Sequence, residues 1–203
     1  TIELWKKIAE RYAKVEWIGG YDLLNEPVWN FGASNKPLRD FYVAVTDSIR
    51  SLDTNHIIFA EGNWYATDFS ALTPAWDKNM AYSFHKYWNS NDQSSINSYV
   101  SLRSSNNVPL WLGESGENSN EWFQQCIALM ESNNIGWSWW TLKRFDAVPT
   151  LLSVSVTPEY RNLINYWRGQ TSRPTVEYAM GALMGMAENL KFERCTFRSD
   201  IVD

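Results

Sequence analysis

With 203 residues, 44% of them apolar, the chain has the length of one domain and the means to bury a sizeable core. Its net charge of −5 comes from acidic and basic residues interspersed throughout, an ordinary solvated surface that argues against nucleic-acid and anionic-membrane partners. No apolar run approaches the roughly 18 residues of a membrane span, and Cys126 and Cys195 stand far apart and outside any metal-ligand spacing, so neither a zinc site nor a disulfide framework is supported; Cys126, at an apolar helical position, reads as a buried thiol.

Ile2, Trp5, Ile8 and Tyr12 recur at helical spacing, and residues 17–24 then read as a short apolar strand closed by Asn25-Glu26-Pro27. The same order returns downstream. Leu38, Phe41, Val45, Ile49 and Leu52 mark a second helix, and residues 56–60 a second strand that runs into Glu61-Gly62-Asn63. Residues 80–85 form a third strand, followed by a weaker helix over 94–103. A fourth strand, 108–113, ends at Glu114, and the next helix carries Trp122, Cys126, Ile127 and Met130 behind an Asn118/Glu121 capping pair. Residues 135–142 make the fifth strand. Thr157 reads as an N-cap before Pro158 at the first helical position, and Val176, Met180, Leu183 and Met184 line a last amphipathic helix.

Alternating helices and apolar strands imply a parallel α/β sheet, either doubly wound or closed into a (β/α) barrel. The polar residues favour the barrel: Asn25-Glu26, Glu61 to Asn63, His85 to Tyr87, Glu114 and Trp140 to Lys143 all fall at strand C-termini, where barrel enzymes build their active sites. No Gly-rich phosphate turn of the doubly wound type is present. A complete (β/α)8 barrel takes about 250 residues and eight strands. The five strands read here therefore describe the C-terminal part of one catalytic domain, spanning 1–203, with its first three strands missing.

Two features point to chemistry. The chain has 12 Trp and 10 Tyr, and Trp29, Trp64, Tyr65 and Trp88 stand beside polar residues at strand ends or loops, where flat aromatic faces suit the C–H faces of sugar rings. Hydrolysis of a glycoside needs two carboxyl groups facing one mouth, and Glu26 and Glu114 each end an apolar strand. On strand position alone Glu61 competes equally, and Glu117 lies close to Glu114.

The motifs add a resemblance. Leu23-Leu24-Asn25-Glu26-Pro27 resembles the strand-four motif of glycoside hydrolase family 5, the cellulase family, whose Glu is the acid/base. Leu112-Gly113-Glu114-Ser115-Gly116 is similar to its strand-seven motif, whose Glu is the nucleophile, with Ser115 where the family often has Phe. His85-Lys86-Tyr87 resembles the strand-six His-x-Tyr, and Gly136 to Lys143 the strand-eight segment whose Trp lies under the sugar being cleaved. The resemblance implies a partial TIM (β/α)8 barrel, strands four to eight, and a retaining β-glycosidase without cofactor or metal. Glu26 and Glu114 would be catalytic, with Asn25, His85, Tyr87 and Trp140 binding substrate and Trp139 the alternative to Trp140. It also implies a β-linked oligo- or polysaccharide partner, with endo-β-1,4-glucanase-like action ahead of mannanase or xylanase specificity. A secreted or periplasmic protein is expected, its leader outside this chain, as are an Arg and a His that the family carries on earlier strands. His56 begins a strand at the opposite face and reads as structural.

Two other classes compete. A non-catalytic sugar-binding module would use the aromatics but not the two glutamates. A barrel enzyme of isomerisation or carbonyl chemistry would need a phosphate loop, a Schiff-base lysine, for which Lys143 is the one strand-end candidate, or metal ligands, for which two His are thin support.

Overall fold

The structure, a computed structural model, describes residues 1–32, 34–145 and 150–202. The chain packs as two units, one of Thr1–Ser115 with Gln124–Ser138 and the other of Gly116–Phe123 with Trp139–Asp203.

In the first unit helices and strands alternate: α1 (Ile2–Tyr12), β1 (Gly20–Asp22), α2 (Lys36–Arg50), β2 (Ile57–Glu61), the four-residue turn α3 (Asn63–Ala66), β3 (Met80–Lys86), α4 (Asn97–Asn106), β4 (Leu110–Ser115), α5 (Asn120–Ser132) and β5 (Gly136–Trp137). The sheet order is β1-β2-β3-β4-β5, and each neighbouring pair is parallel. Sequential parallel strands need a crossover between them, and the helices supply it. The arrangement puts every strand C-terminus on one edge. All seven residues of β3 are buried, as expected of a central strand covered on both faces. In α2 the apolar stripe Leu38, Tyr42, Val45 and Ile49 turns inward together with Thr46.

The opposite edge is tied by polar contacts. Arg50, at the end of α2, forks onto Asp77 through Nε and Nη2 at 2.9 and 2.8 Å, and Nη1 donates to the carbonyls of Asp53 and His56. His56 is buried, with Nδ1 2.6 Å from Asp53 Oδ2 and Nε2 3.0 Å from the Val15 carbonyl, while Tyr21 donates its hydroxyl to the same Asp53 oxygen. Burial acts to raise the Asp53 carboxyl, but hydrogen bonds from Tyr21, the Asn55 and His56 backbone and the His56 ring outweigh it and hold it below its ordinary value.

The second unit holds a three-stranded sheet, β6 (Lys143–Phe145), β7 (Leu152–Val154) and β8 (Thr196–Phe197), and the helices α6 (Pro158–Trp167) and α7 (Val176–Asn189). β6 and β7 are parallel, β7 and β8 antiparallel. Thr157 caps α6, its hydroxyl accepting from the Tyr160 N–H at 3.1 Å. No helix among the described residues is long and apolar enough to cross a membrane.

Several expectations are corrected. The predicted strand 135–142 shortens to Gly136–Trp137. Ser138 still donates to the Leu112 carbonyl, and beyond it only an isolated parallel bridge between Gly116 and Trp140 continues the pairing among the described residues. Glu114 lies within β4 rather than in a turn after it. Ser119, just before α5, accepts the Trp122 N–H on its hydroxyl and the Phe123 N–H on its carbonyl. In α7 the predicted stripe of Val176, Met180, Leu183 and Met184 is exposed, and Ala182 and Met186 are buried instead. That helix is apolar on more than one face, so periodicity alone does not select the inward one. Both cysteines are free thiols.

Replacing Arg50 by Ala leaves Asp77 as an unpaired, largely buried carboxylate and should destabilise the protein by about 3 kcal/mol. Urea denaturation followed through Trp fluorescence should show a lower midpoint at unchanged slope. Arg50→Lys should recover little, because one ammonium cannot make the fork. A loss below about 0.5 kcal/mol would refute a structural role for the pair.

Candidate active site

Because the first-unit strands are parallel and in register, their C-terminal residues converge. β1 ends at Asp22 and leads into Leu23-Leu24-Asn25-Glu26, β2 ends at Glu61, β3 carries His85 just before Tyr87, and β4 carries Glu114. Between β3 and β4 the register steps from Phe84 opposite Leu112 to His85 opposite Glu114, leaving Gly113 as the extra residue of a bulge. The bulge is what brings Glu114 level with His85. A side chain at Gly113 would run into the buried Ser83 hydroxyl and displace it, so glycine suits the close approach.

His85 is the hub. Its Nδ1 lies 2.8 Å from Glu26 Oε1 and 3.7 Å from Glu114 Oε2, and its Nε2 lies 3.2 Å from Glu61 Oε1. Tyr87 donates its hydroxyl to Glu114 Oε2 at 2.5 Å. The Glu26 backbone N–H donates to Glu61 Oε2 at 2.6 Å. Burial pulls the His85 pKa down, but hydrogen bonds to Glu61 and Glu26 and the charges of Glu61 and Glu114 overcome it and raise it to about 9. At neutral pH His85 is therefore an imidazolium that donates from both nitrogens.

The three glutamates differ in access. The side chains of Glu26 and Glu114 are 27% and 22% exposed, whereas that of Glu61 is 2% exposed. Only the first two can meet a ligand from solvent, which separates residues that strand position alone left equivalent. One oxygen each of Glu26 and Glu114 and a His85 nitrogen lie within 4.8 Å of one another. The trio has the spacing of a cation site, and in it His85 is already bonded to Glu26 and, through its other nitrogen, to Glu61. Asp22, exposed on the edge strand, accepts from Ser83 at 3.1 Å. Crowding by surrounding protein and the charges of Glu61 and Glu114 nevertheless lift its carboxyl well above the usual range.

Asn25 is exposed on the same turn as Glu26. Glu26 itself adopts a left-handed backbone with φ 42°. At the end of β2, Trp64, Tyr65 and Ala66 are left-handed too, at φ 53°, 59° and 60°. Trp64 and Tyr65 are held largely exposed, as are Trp29 and Trp88.

Within the second unit Trp140 is half exposed, while Trp139 packs edge-on against Phe123 with centroids 4.4 Å apart, so Trp140 is the more accessible of the two. Lys143 donates to the Leu190 carbonyl and Glu117 pairs with Arg144. Neither stands in the first-unit cluster. Sequence reasoning weighed Glu61 only as a rival to the two catalytic candidates; its backbone and imidazole partners come from the fold. Asp22 carried no signal beyond ending a strand.

The fold has relatives among solved structures. Thermotoga maritima Cel5A, solved with mannotriose, superposes with a TM-score of 0.60 at 20% identity, over 74% of this chain and 59% of that one. The cellulose synthase subunit Z of Clostridioides difficile gives 0.60 at 19% identity, over 74% and 61%. A Cytophaga hutchinsonii structure gives 0.65 at 20% identity, over 77% and 54%. These likenesses concern fold, and they identify the five-stranded parallel sheet as part of a (β/α)8 barrel. Among curated proteins, a β-xylosidase of Phanerodontia chrysosporium is 38% identical over 90 residues, 43% of this chain and 18% of that protein. The chain thus spans less than two thirds of each of these proteins. Residues 1–146 match the sequence model of Cellulase (glycosyl hydrolase family 5), and with that match over most of its length the chain belongs to the family.

Proposed function

We propose that this chain carries the catalytic pair of a retaining β-glycoside hydrolase, with Glu26 as acid/base and Glu114 as nucleophile. The observation that carries the reading is the pair of solvent-open carboxylates with oxygens within 4.8 Å. Carboxyl groups about 5–5.5 Å apart suit direct attack on the anomeric carbon, whereas the roughly 6.5–9.5 Å of inverting enzymes leaves room for a water.

The hydrogen bonds support the division of labour. The Tyr87 hydroxyl donates to Oε2 of Glu114 and leaves Oε1 for attack. At Glu26 the His85 N–H occupies Oε1, so the acidic proton sits on Oε2 and faces away from the imidazolium. Glu26 gives that proton to the glycosidic oxygen as Glu114 attacks through an oxocarbenium-like transition state. Water then attacks the glycosyl-enzyme ester while Glu26 takes the proton back. Asn25, on the same turn, is placed in the role of donor to the 2-hydroxyl, and Trp140 is assigned, from its motif alone, to stack on the sugar.

The substrate class is a β-linked polysaccharide, with β-1,4-glucan first and mannan or xylan next. Support comes from family membership and from the exposed Trp29, Trp64, Tyr65 and Trp88. The related structures were solved with mannotriose and cellobiose, and the curated relative is a β-xylosidase.

In the full-length protein, hydrolysis of an aryl β-cellobioside should fall by about 1,000-fold or more in Glu26→Ala with an unactivated leaving group and in Glu114→Ala with any. Added azide should yield a β-glycosyl azide from the first variant and an α-glycosyl azide from the second. Activity surviving either change removes that residue from its role, and oligosaccharide binding without turnover by the wild type would favour the sugar-binding module.

Trp64→Ala should lower kcat/KM on cellohexaose about tenfold, the worth of one stacking contact, and leave an aryl β-glucoside within about twofold. Equal losses on both substrates would place Trp64 outside the binding surface.

A further inference from the structure

We propose that Glu61 is a positioning residue for the acid/base step: its buried carboxylate holds the backbone of the Glu26 loop and orients His85 between Glu26 and Glu114. This rests on the catalytic reading given above and adds to it a residue that never meets substrate.

Glu61 has both oxygens committed. Oε2 accepts the Glu26 N–H at 2.6 Å and Oε1 accepts His85 Nε2 at 3.2 Å. Its own backbone is fixed, because the buried Tyr42 hydroxyl donates to its carbonyl at 3.0 Å. With the side chain 2% exposed, the carboxylate is sealed from any ligand. A buried carboxylate is costly unless charge and hydrogen bonds offset it, and here the offsets are two groups of the catalytic cluster rather than a surface lysine or arginine.

The backbone of Glu26 supplies the independent argument. Its φ of 42° is a conformation that non-glycine residues avoid. A charge-assisted bond from its N–H is the kind of contact that sustains such a turn. A second clasp lies two residues along the same strand end. Asn63, 1% exposed, accepts the Trp29 N–H at 3.2 Å and donates to the Trp29 carbonyl at 2.8 Å and to Asn35 Oδ1 at 2.9 Å. The loop after β1 is thus pinned at Glu26 and again at Trp29 from the end of β2. Displacing Glu61 would let the Glu26 turn relax and let His85 slip from Oε1, and the acidic proton would lose its aim.

His85 is faced by Asp22 and Glu26 from β1 and its loop, by Glu61 from β2 and by Glu114 from β4, with the Tyr87 hydroxyl on Glu114. In the wild type its ring should titrate near pH 9 by NMR, assigned against His85→Gln. In Glu61→Gln, which keeps an acceptor for the Glu26 N–H but removes the charge, the midpoint should fall by about one pH unit or more. Kinetically, kcat on cello-oligosaccharides should drop about 100-fold with KM within about threefold. In kcat/KM, which reports the glycosylation step alone, a 2,4-dinitrophenyl glycoside, whose leaving group needs no proton, should lose less than about fivefold while the cello-oligosaccharides lose about 100-fold. Glu61→Asp should recover part of the titration midpoint.

Equal losses on both leaving groups, or an unmoved His85 midpoint in Glu61→Gln, would overturn the proposal. So would a wild-type midpoint at or below about 6.5, a measurement that stands even if the variants fail to fold. Absence of hydrolysis by the wild type would overturn the catalytic reading instead, and the titration, which needs no turnover, would still decide whether Glu61 governs His85.

Discussion

Like charges do not gather on one sheet edge unless something holds them there. Asp22, Glu26, Glu61 and Glu114 are brought to the same edge by parallel strands, and the cation among them is His85, buried in the middle strand and bonded to two of them. Remove that charge and the carboxyl groups of Glu26, Glu61 and Glu114 face one another in a partly dry environment with no cation among them, where any negative charge they share repels several times more strongly than in water. Everything else at the mouth is arranged around this balance. The β3–β4 bulge sets Glu114 beside the ring, Gly113 suits the close approach, Tyr87 shares the load on Glu114, and Asp22 tends to keep a proton.

Much of the frame was legible in the sequence. Except in the fifth strand, strand ends fell within about three residues of where residue type and periodicity placed them, because the apolar runs are bounded by polar turns. The family motifs picked out Glu26, His85, Tyr87 and Glu114, and the structure brings these four together. Their chemical roles remain the reading proposed above.

Other features were not legible, for physical reasons. Glu26, Glu61 and Glu114 look alike in the sequence, each a glutamate at the end of an apolar strand. Their difference is burial, which depends on side-chain direction and on a left-handed turn at Glu26 that no local pattern announces. The sheet of β6, β7 and β8 went unseen because strands of two or three residues are too short for a period to show. The inward face of α7 was misjudged because apolar residues lie on more than one of its faces, so spacing alone did not distinguish Ala182 and Met186 from Met180 and Met184.

The double clasp between the loop after β1 and the end of β2 bears on how such a mouth can be altered. Residues 26 to 29 and 61 to 63 are joined by bonds in which a backbone group on one segment meets a side chain on the other. The two segments therefore behave as one inheritable part. Transplanting the Asn25-to-Trp29 loop onto another barrel without Glu61 and Asn63 would carry Glu26 but not its posture, and an insertion between Glu61 and Asn63 would disturb the backbone of a residue 35 positions away. The exposed rings of Trp64, Tyr65 and Trp88 take no part in these bonds, so substitutions there leave the clasp intact.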